Sequence, residues 1–288
     1  MRLRSSNRPG GDAGYTDLET TVIDTNGIGR DDLDRIEAYR ARTGASFSEA
    51  VVDLGVVAPD HLQRTIATHA EAGTLIDPDQ TGVSRAVVAA YAPDDPLTVK
   101  LRALRSTLFV PDDLEHGDMR VLVVVAVGTD DAPGVTANLA TLVAQLGYPG
   151  LLVDANFAAP TQHALFGLDP VEGVTSLLSG ALDRETTVVA TPVPNLSLIA
   201  AGPAIAALPE TVERVSLVEQ IRAIRLGHRF AIIDAGNQPP EVTAAIARGA
   251  DGVLLLVERE RTPFAALETL LPRLESNDIP VVGSILIR

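Results

Sequence analysis

The sequence predicts a doubly wound α/β domain with a mostly parallel sheet, preceded by a small all-α module. From Arg120 onward, short and largely β-branched apolar runs recur, among them VLVVVAV, FAIIDA and DGVLLLVE. A helical segment separates each run from the next, as TANLATLVAQLG does after the first. Strands that are apolar along their whole length and alternate with helices are typical of a parallel sheet covered on both faces.

Four segments are predicted along the chain. Residues 1–28 are rich in Gly, Ser, Asn and Asp without an apolar period, which predicts a disordered arm. Residues 29–74 hold three amphipathic pieces separated by Gly and Pro, which predicts a small helical module. The polar residues 75–95 are interpreted as a linker, and residues 96–288 as the α/β domain.

Composition limits the classes of function and partner. The 23 basic and 38 acidic side chains give a net charge of −15, which disfavours binding to nucleic acid or to an anionic membrane surface. Without cysteine there is no thiolate metal site, and the five histidines lack metal-binding spacing, so we expect no metal. No run reaches the roughly 18 apolar residues of a membrane span, so we expect a cytoplasmic protein without direct membrane insertion.

Three turns are candidate ligand sites, because ligands of open parallel sheets bind beyond the carboxyl ends of the strands. The first turn reads GTDDAPGVTANLA and begins at Gly128. The second follows Asp154 in LLVDANFAAP, and the third follows Asp234 in FAIIDAGNQPP. In order and spacing these turns resemble those of the tyrosine autokinases of bacterial exopolysaccharide assembly, a branch of the ParA/MinD-like P-loop proteins. The resemblance covers about residues 96–288 and implies a P-loop NTPase-like fold.

The resemblance implies a phosphate-binding loop in the first turn, but the groups that such a loop needs are replaced. A P-loop uses a lysine on the β- and γ-phosphates and a Ser or Thr hydroxyl on Mg²⁺. Here GVT, from Gly134 to Thr136, stands where the family has GKS or GKT. The one lysine of the chain, Lys100, precedes the first strand. Asp130 and Asp131 would meet phosphate with like charge.

The second and third turns keep one aspartate each. Asp154 matches the first aspartate of the family's second turn, and Asp234 matches its metal-ordering aspartate. Asn156 and Ala158 replace an aspartate and an arginine. An alternative interpretation is that both aspartates cap the loops that follow them. The prediction is a degenerate nucleotide site without catalytic residues or a cofactor, comprising Gly128, Asp130, Asp131, Gly134, Val135, Thr136, Asp154, Asn156 and Asp234.

The helix before the first strand carries a second element of the resemblance. Its sequence VKLRALRSTLF is similar to the Glu-x-x-Arg-x-x-Arg pattern that lines the subunit interface of the autokinase rings. Arg102 and Arg105 match the arginines, whereas Val99 stands at the glutamate position. We interpret Arg102 and Arg105 as an oligomer or partner interface that lacks half of its ion pairs. The alternative is two solvated arginines on a helix face.

The helical module resembles the N-terminal domains of type II secretion and pilus ATPases in the stretch FSEAVVDLGVVAPDHLQRTI. Some relatives bind cyclic di-GMP through an Arg, a Gly and a Gln near this stretch. Ser46, Ser48 and His69 occupy those positions here. The module is therefore interpreted as a protein-docking unit, with cyclic di-GMP binding as the alternative.

Together these patterns predict a non-catalytic regulator or scaffold of bacterial exopolysaccharide biosynthesis or export. The expected partner is the export machinery, through a membrane co-polymerase or an active kinase paralogue that recruits the chain to the inner membrane. Self-association is left open. The tyrosine-rich tail of the family has no counterpart before Arg288, so autophosphorylation is not expected. Two alternatives stand beside this hypothesis: a divergent ATPase or tyrosine kinase whose lysine comes from a partner, and a cyclic di-GMP receptor.

Overall fold

The computed structural model describes residues 17–59, 61–62, 65, 75–109, 114–115, 117–129, 132–169, 172–205 and 207–287. The chain divides into two compact units, Met1–Gly73 and Thr74–Arg288.

The first unit contains three described helices, α1 (Asp17–Asn26), α2 (Arg30–Thr43) and α3 (Phe47–Asp53). The N-terminus of α3 is fixed by a capping box. The Ser46 hydroxyl accepts a hydrogen bond from the Glu49 N–H at 3.2 Å, and the Glu49 carboxylate accepts one from the Ser46 N–H at 2.8 Å. The apolar faces of the helices and their connections meet in one core, formed by Val22, Ile28, Ile36, Phe47, Ala50, Val51, Val57 and Leu62.

The predicted disordered arm differs from the structure over residues 17–28, where α1 forms. Val22 and Ile28 are buried in the core of the first unit. Local composition hides this helix, because most helical stability comes from tertiary packing of a few apolar side chains rather than from local propensity. Residues 1–16 of the predicted arm lie outside the described residues.

The second unit is built on a seven-stranded sheet in the order β3-β4-β2-β5-β1-β6-β7. Neighbouring strands are parallel, except that β3 is antiparallel to β4. The doubly wound α/β fold predicted from the sequence is therefore confirmed. The strands are β1 (Arg120–Val127), β2 (Gly150–Asp154), β3 (Val189–Ala190), β4 (Leu196–Ile199), β5 (Phe230–Gly236), β6 (Gly252–Glu258) and β7 (Val281–Ile287).

Helices cover both faces of the sheet. They are α4 (Pro78–Thr81), α5 (Pro96–Leu108), α6 (Ala132–Ala144), α7 (Gln162–Leu165), α8 (Val174–Ser179), α9 (Leu208–Arg214), α10 (Leu217–Arg222), α11 (Pro240–Ala247) and α12 (Phe264–Ser276), with 3₁₀ turns at Val88–Ala90 and Arg184–Thr187. Side chains of β1 alternate between two cores, with Val123 in the core under α8 to α12 and Val124 in the core under α5 and α6. Across the described ranges, no helix is both long and apolar enough to cross a membrane.

The segment 75–95, interpreted from the sequence as a linker, is part of the α/β core. Val83, Val87, Ala89 and Ala90 are buried in the core under α6. The Asn138 side chain of α6 donates to the Ala86 carbonyl and accepts from the Ala89 N–H, both at 2.8 Å. The polar composition of this segment does not reveal its burial, because the residues that it contacts lie about fifty positions further along the chain.

Replacing Asn138 with alanine should destabilise the second unit by about 2 kcal/mol, because it leaves the buried Ala89 N–H and the Ala86 carbonyl without their partner. Asn138 also donates to the Gly134 carbonyl at 2.7 Å. Urea unfolding of the Asn138→Ala variant measures the effect. The control is Asn277→Ala at the exposed end of α12, which should change the free energy of unfolding by less than about 0.5 kcal/mol. Equal losses in the two variants would contradict the prediction.

Candidate functional site

The candidate site lies where β1, β2 and β5 end at the same edge of the sheet. In the pairing of β2 with β5, Asp154 stands opposite Asp234, and both side chains are fully buried. The structure thus brings together the two aspartates singled out from the sequence. Asp130 and Asp131 of the first turn lie outside the described residues.

Asp154 organises the loop that follows β2. Its carboxylate accepts backbone hydrogen bonds from Asn156 at 3.1 Å, Thr161 at 3.0 Å and Gln162 at 2.9 Å. Burial raises the pKa of Asp154 to about 6, although the three hydrogen bonds act to lower it. This geometry is the loop-capping role that the sequence left open as an alternative.

Asp234 is joined to the second turn by a glutamine. Its carboxylate accepts from the Gly236 N–H at 3.0 Å and from the Gln162 side-chain amide at 2.6 Å. The same Gln162 amide nitrogen donates to the Pro133 carbonyl of α6 at 3.1 Å. Burial, and then the charge of Asp154, raise the pKa of Asp234 to about 7. Gln162 therefore links all three turns.

Sequence reasoning missed Gln162. It follows Asp154 by eight positions but lies 72 positions before Asp234, and no local motif marks it. Its side-chain oxygen is buried and has no hydrogen-bond partner among the described residues. A buried acceptor without a partner costs free energy of folding.

Asn156 packs against the third turn. Gly236 has a φ of +60°, and a Cβ atom added there would lie 2.3 Å from the Asn156 Cγ. The Asn156 side-chain oxygen accepts from the Ala159 N–H at 3.3 Å. The amide that replaces the family's second aspartate therefore fills the space between the second and third turns.

The residues of the first turn are placed differently from a phosphate-binding loop. Gly134, Val135 and Thr136 lie within α6, and Val135 is 6% exposed and packs in the core. Gly128 has a φ of +64°, and its N–H donates to the Asn237 side-chain oxygen at 3.4 Å. Lys100 is exposed on α5.

These groups do not fit a nucleotide triphosphate with Mg²⁺. Val135 of the first turn is buried, and the oxygens of Asp154 and Asp234 accept hydrogen bonds from N–H donors of the protein. The buried carboxyl groups of Asp154 and Asp234, together with the Gln162 amide, hold the three turns together.

The structure also corrects the interface expected on α5. Arg105 is only 8% exposed, and its guanidinium donates to the Leu142 carbonyl of α6 at 3.0 Å. It points inward because Leu101 and Leu108, one turn away on either side, lie on the same buried face of the helix. Arg102 is partly buried and donates to the Pro93 carbonyl at 3.3 Å.

The positions compared with cyclic di-GMP receptors are only partly described. Ser46 is occupied as the N-cap of α3, and Ser48 is partly buried within that helix. His69 lies outside the described residues.

Comparison with known proteins identifies relatives of the second unit. No protein-family model matches the chain. EpsB of Ralstonia nicotianae, a tyrosine-protein kinase by name, is 31% identical over 207 residues, which cover 68% of this chain and 26% of EpsB. The tyrosine-protein kinase ptk of Acinetobacter johnsonii is 31% identical over 153 residues, or 53% of this chain and 21% of ptk. The matched region thus spans about a quarter of the length of EpsB and about a fifth of that of ptk.

Two solved structures share the fold. The chimerical protein CapA2B2 superposes with a TM-score of 0.61 at 22% identity, over 75% of this chain and 97% of that protein. The kinase domain of the Escherichia coli tyrosine kinase ETK gives a TM-score of 0.59 at 20% identity, over 69% of this chain and 78% of that domain. At these identities the likeness concerns the fold.

The buried aspartate pair should make the stability depend on pH. An aspartate in the unfolded chain titrates near 3.8, whereas the folded chain holds a proton on Asp234 up to about pH 7. The folded state then binds more protons than the unfolded state between these values. This contribution to stability is therefore complete below the unfolded pKa and is lost as the pH rises through the folded one.

The variant Asp234→Asn removes the charge and resembles the protonated acid, because it keeps one acceptor oxygen and carries an N–H donor in place of the second oxygen. Below the unfolded pKa its free energy of unfolding should equal that of the wild type. Above the folded pKa it should exceed the wild type by roughly 2 to 4 kcal/mol, measured by urea unfolding across the pH range. Asp169→Asn, at an exposed position, is the control and should keep the wild-type profile. Parallel profiles for Asp234→Asn and the wild type would show that no proton is taken up there.

Proposed function

Because the chain is a homologue of the bacterial tyrosine-protein kinases, we propose that it serves exopolysaccharide or capsule assembly as a regulator or scaffold without phosphoryl transfer of its own. Its activity in this proposal is protein–protein interaction. The observation that carries the proposal is Val135, a buried core residue at the position where the family has the phosphate-binding lysine.

The state of the three turns supports the same proposal. In nucleotide-driven switches, the bound phosphate and its metal order the loops around them. Here the second and third turns are ordered by Asp154, Gln162 and Asp234 through contacts made within the chain. These loops are held in place without a nucleotide. A protein that binds its partner in one fixed conformation would need such loops.

The partner in this proposal is a component of the polymer export machinery, either a membrane co-polymerase or an active kinase paralogue. With Arg105 turned inward, the docking surface is assigned to the first unit rather than to α5. Support comes from the separate core of that unit, which packs around Ile36 and Phe47 and provides a small folded body for recognition.

We expect neither tight binding nor hydrolysis of ATP·Mg²⁺. A ligand at 100 times its dissociation constant adds about 2.7 kcal/mol of stability, so thermal unfolding with and without nucleotide detects binding that calorimetry then quantifies. The variant Val135→Lys should not gain affinity and should lose stability, because its ammonium group would enter an apolar core.

Val135→Leu is the matched control for this substitution, since it changes the shape of the side chain without adding charge. It should remain closer to the wild type in stability than Val135→Lys. Micromolar affinity in the wild type, or ATP turnover above a blank without protein, would instead favour a divergent ATPase completed by a partner.

Removing residues 1–73 should abolish capture of the co-polymerase while leaving the α/β unit folded. Co-purification of the two proteins from cells that express both measures capture, and circular dichroism of the shortened chain checks its fold. The full chain carrying Asp234→Asn serves as the control and should capture the co-polymerase normally. Unchanged capture by the shortened chain would move the docking surface to the second unit.

A further inference from the structure

The two edges of the sheet are built differently. The β3 edge is a strand of two residues that runs antiparallel to its neighbour. The β7 edge is a strand of seven residues that pairs with β6 alone. A very short edge strand is one of the devices by which proteins prevent unwanted strand pairing, whereas a long free edge offers a row of unpaired backbone groups. Only the β3 edge is protected in this way.

The β7 strand carries one register irregularity, where Val281 and Val282 together stand opposite Val253 of β6, but it lacks charged residues and proline as protective devices. Its sequence VVGSILI contains no charged residue and no proline. Its side chains are exposed to an unusual degree for apolar residues, with Val282 37% and Leu286 62% exposed. Among the described residues, eight large apolar side chains are exposed, and five of them lie in α12 and β7: Phe264, Leu271, Val281, Val282 and Leu286. Clustered exposed apolar residues mark interaction sites.

Two residues of β7 can be assigned to a face of the sheet from their register with β6. Ser284 and Leu286 stand beside Leu255 and Val257 of β6, whose side chains pack in the core under α12. Neighbours in register point to the same face of a sheet. Ser284 and Leu286 therefore lie on the same face of the sheet as α12.

We propose that this edge joins two copies of the chain. The β7 strands pair antiparallel about a two-fold axis at Ser284, so that the two seven-stranded sheets continue into one. Leu286 of each copy then lies beside the irregular Val281–Val282 segment of the other, and the small Ser284 side chains meet on the axis. The exposed sides of the two α12 helices come together on the same face.

A second copy fits this edge better than an unrelated strand because the edge is complementary to itself. A two-fold interface uses the same patch on both subunits and closes at two, whereas parallel pairing of the same strands would not close. The strand carries no charge, so two copies of a chain with a net charge of −15 meet there without direct repulsion. A strand pair alone is small against the roughly 1,200–2,000 Å² of a stable interface, and the exposed Phe264 and Leu271 of α12 supply further apolar area.

Charges at the ends of the strand agree with the antiparallel direction. The Arg259 N–H donates to the Ile287 carbonyl at 2.9 Å, which places Arg259 at one end, and the exposed Asp278 precedes the strand at the other. Antiparallel pairing brings Arg259 of one copy to Asp278 of the other. Within its own chain Arg259 contacts Glu260 at 3.5 Å in an exposed ion pair, an interaction of little energy that leaves the guanidinium able to turn.

The direct test is a disulfide on the proposed axis. The chain has no cysteine, so Ser284→Cys introduces a single thiol at a position where the two copies would be within disulfide distance. Mild oxidation should give a covalent dimer that a reductant reverses. Ala190→Cys, on the exposed β3 edge, is the matched control and should stay monomeric under the same oxidation.

Light scattering of the unmodified full chain tests the same proposal without a thiol. The wild type should show twice the monomer mass, and Leu286→Lys should halve it. Val99→Lys, which also replaces an exposed apolar residue on a helix elsewhere, should remain a dimer. A monomeric wild type, a dimer that survives Leu286→Lys, or species that grow beyond two copies would each overturn the proposal. The proposal would also be overturned if the Ser284→Cys variant were a folded dimer that forms no disulfide. That result would place self-association on another surface.

Discussion

The turns at the carboxyl edge of the sheet are joined by one buried hydrogen bond, from the Gln162 amide to the Asp234 carboxylate. This bond joins the second turn to the third, and the same amide reaches the start of α6 through the Pro133 carbonyl. Asp154 lies beside this hydrogen bond, and its carboxylate accepts a hydrogen bond from the backbone N–H of Gln162. The position of three loops therefore follows from three side chains that are all fully buried.

These hydrogen bonds order the second and third turns through contacts made within the chain. In the P-loop proteins, loops at this edge gain their order from a bound phosphate and a metal. Here burial raises the pKa values of Asp154 and Asp234 to about 6 and about 7. The protein stabilises the edge with protons and amides, which do not leave when a ligand does.

The fold could be predicted from the sequence because its signal is local and repeated. Each strand is an apolar run bounded by turns, and the alternation with helices is visible without any long-range information. Asp154 and Asp234 were found for the same reason, since each ends such a run. Gln162 and the burial of Arg105 were missed because their partners, Asp234 and Leu142, are distant in sequence.

The attachment of residues 83–90 to α6 has a consequence for how the two units can be exchanged in evolution. Because Asn138 and Gln145 hold the backbone of this segment through Ala86 and Ala89, the α/β unit includes residues that precede its first strand by more than thirty positions. Recombination that replaces the N-terminal helices must therefore break upstream of residue 75. A gene fusion made closer to β1 would strip a buried layer from the sheet and would be eliminated by selection as a folding defect.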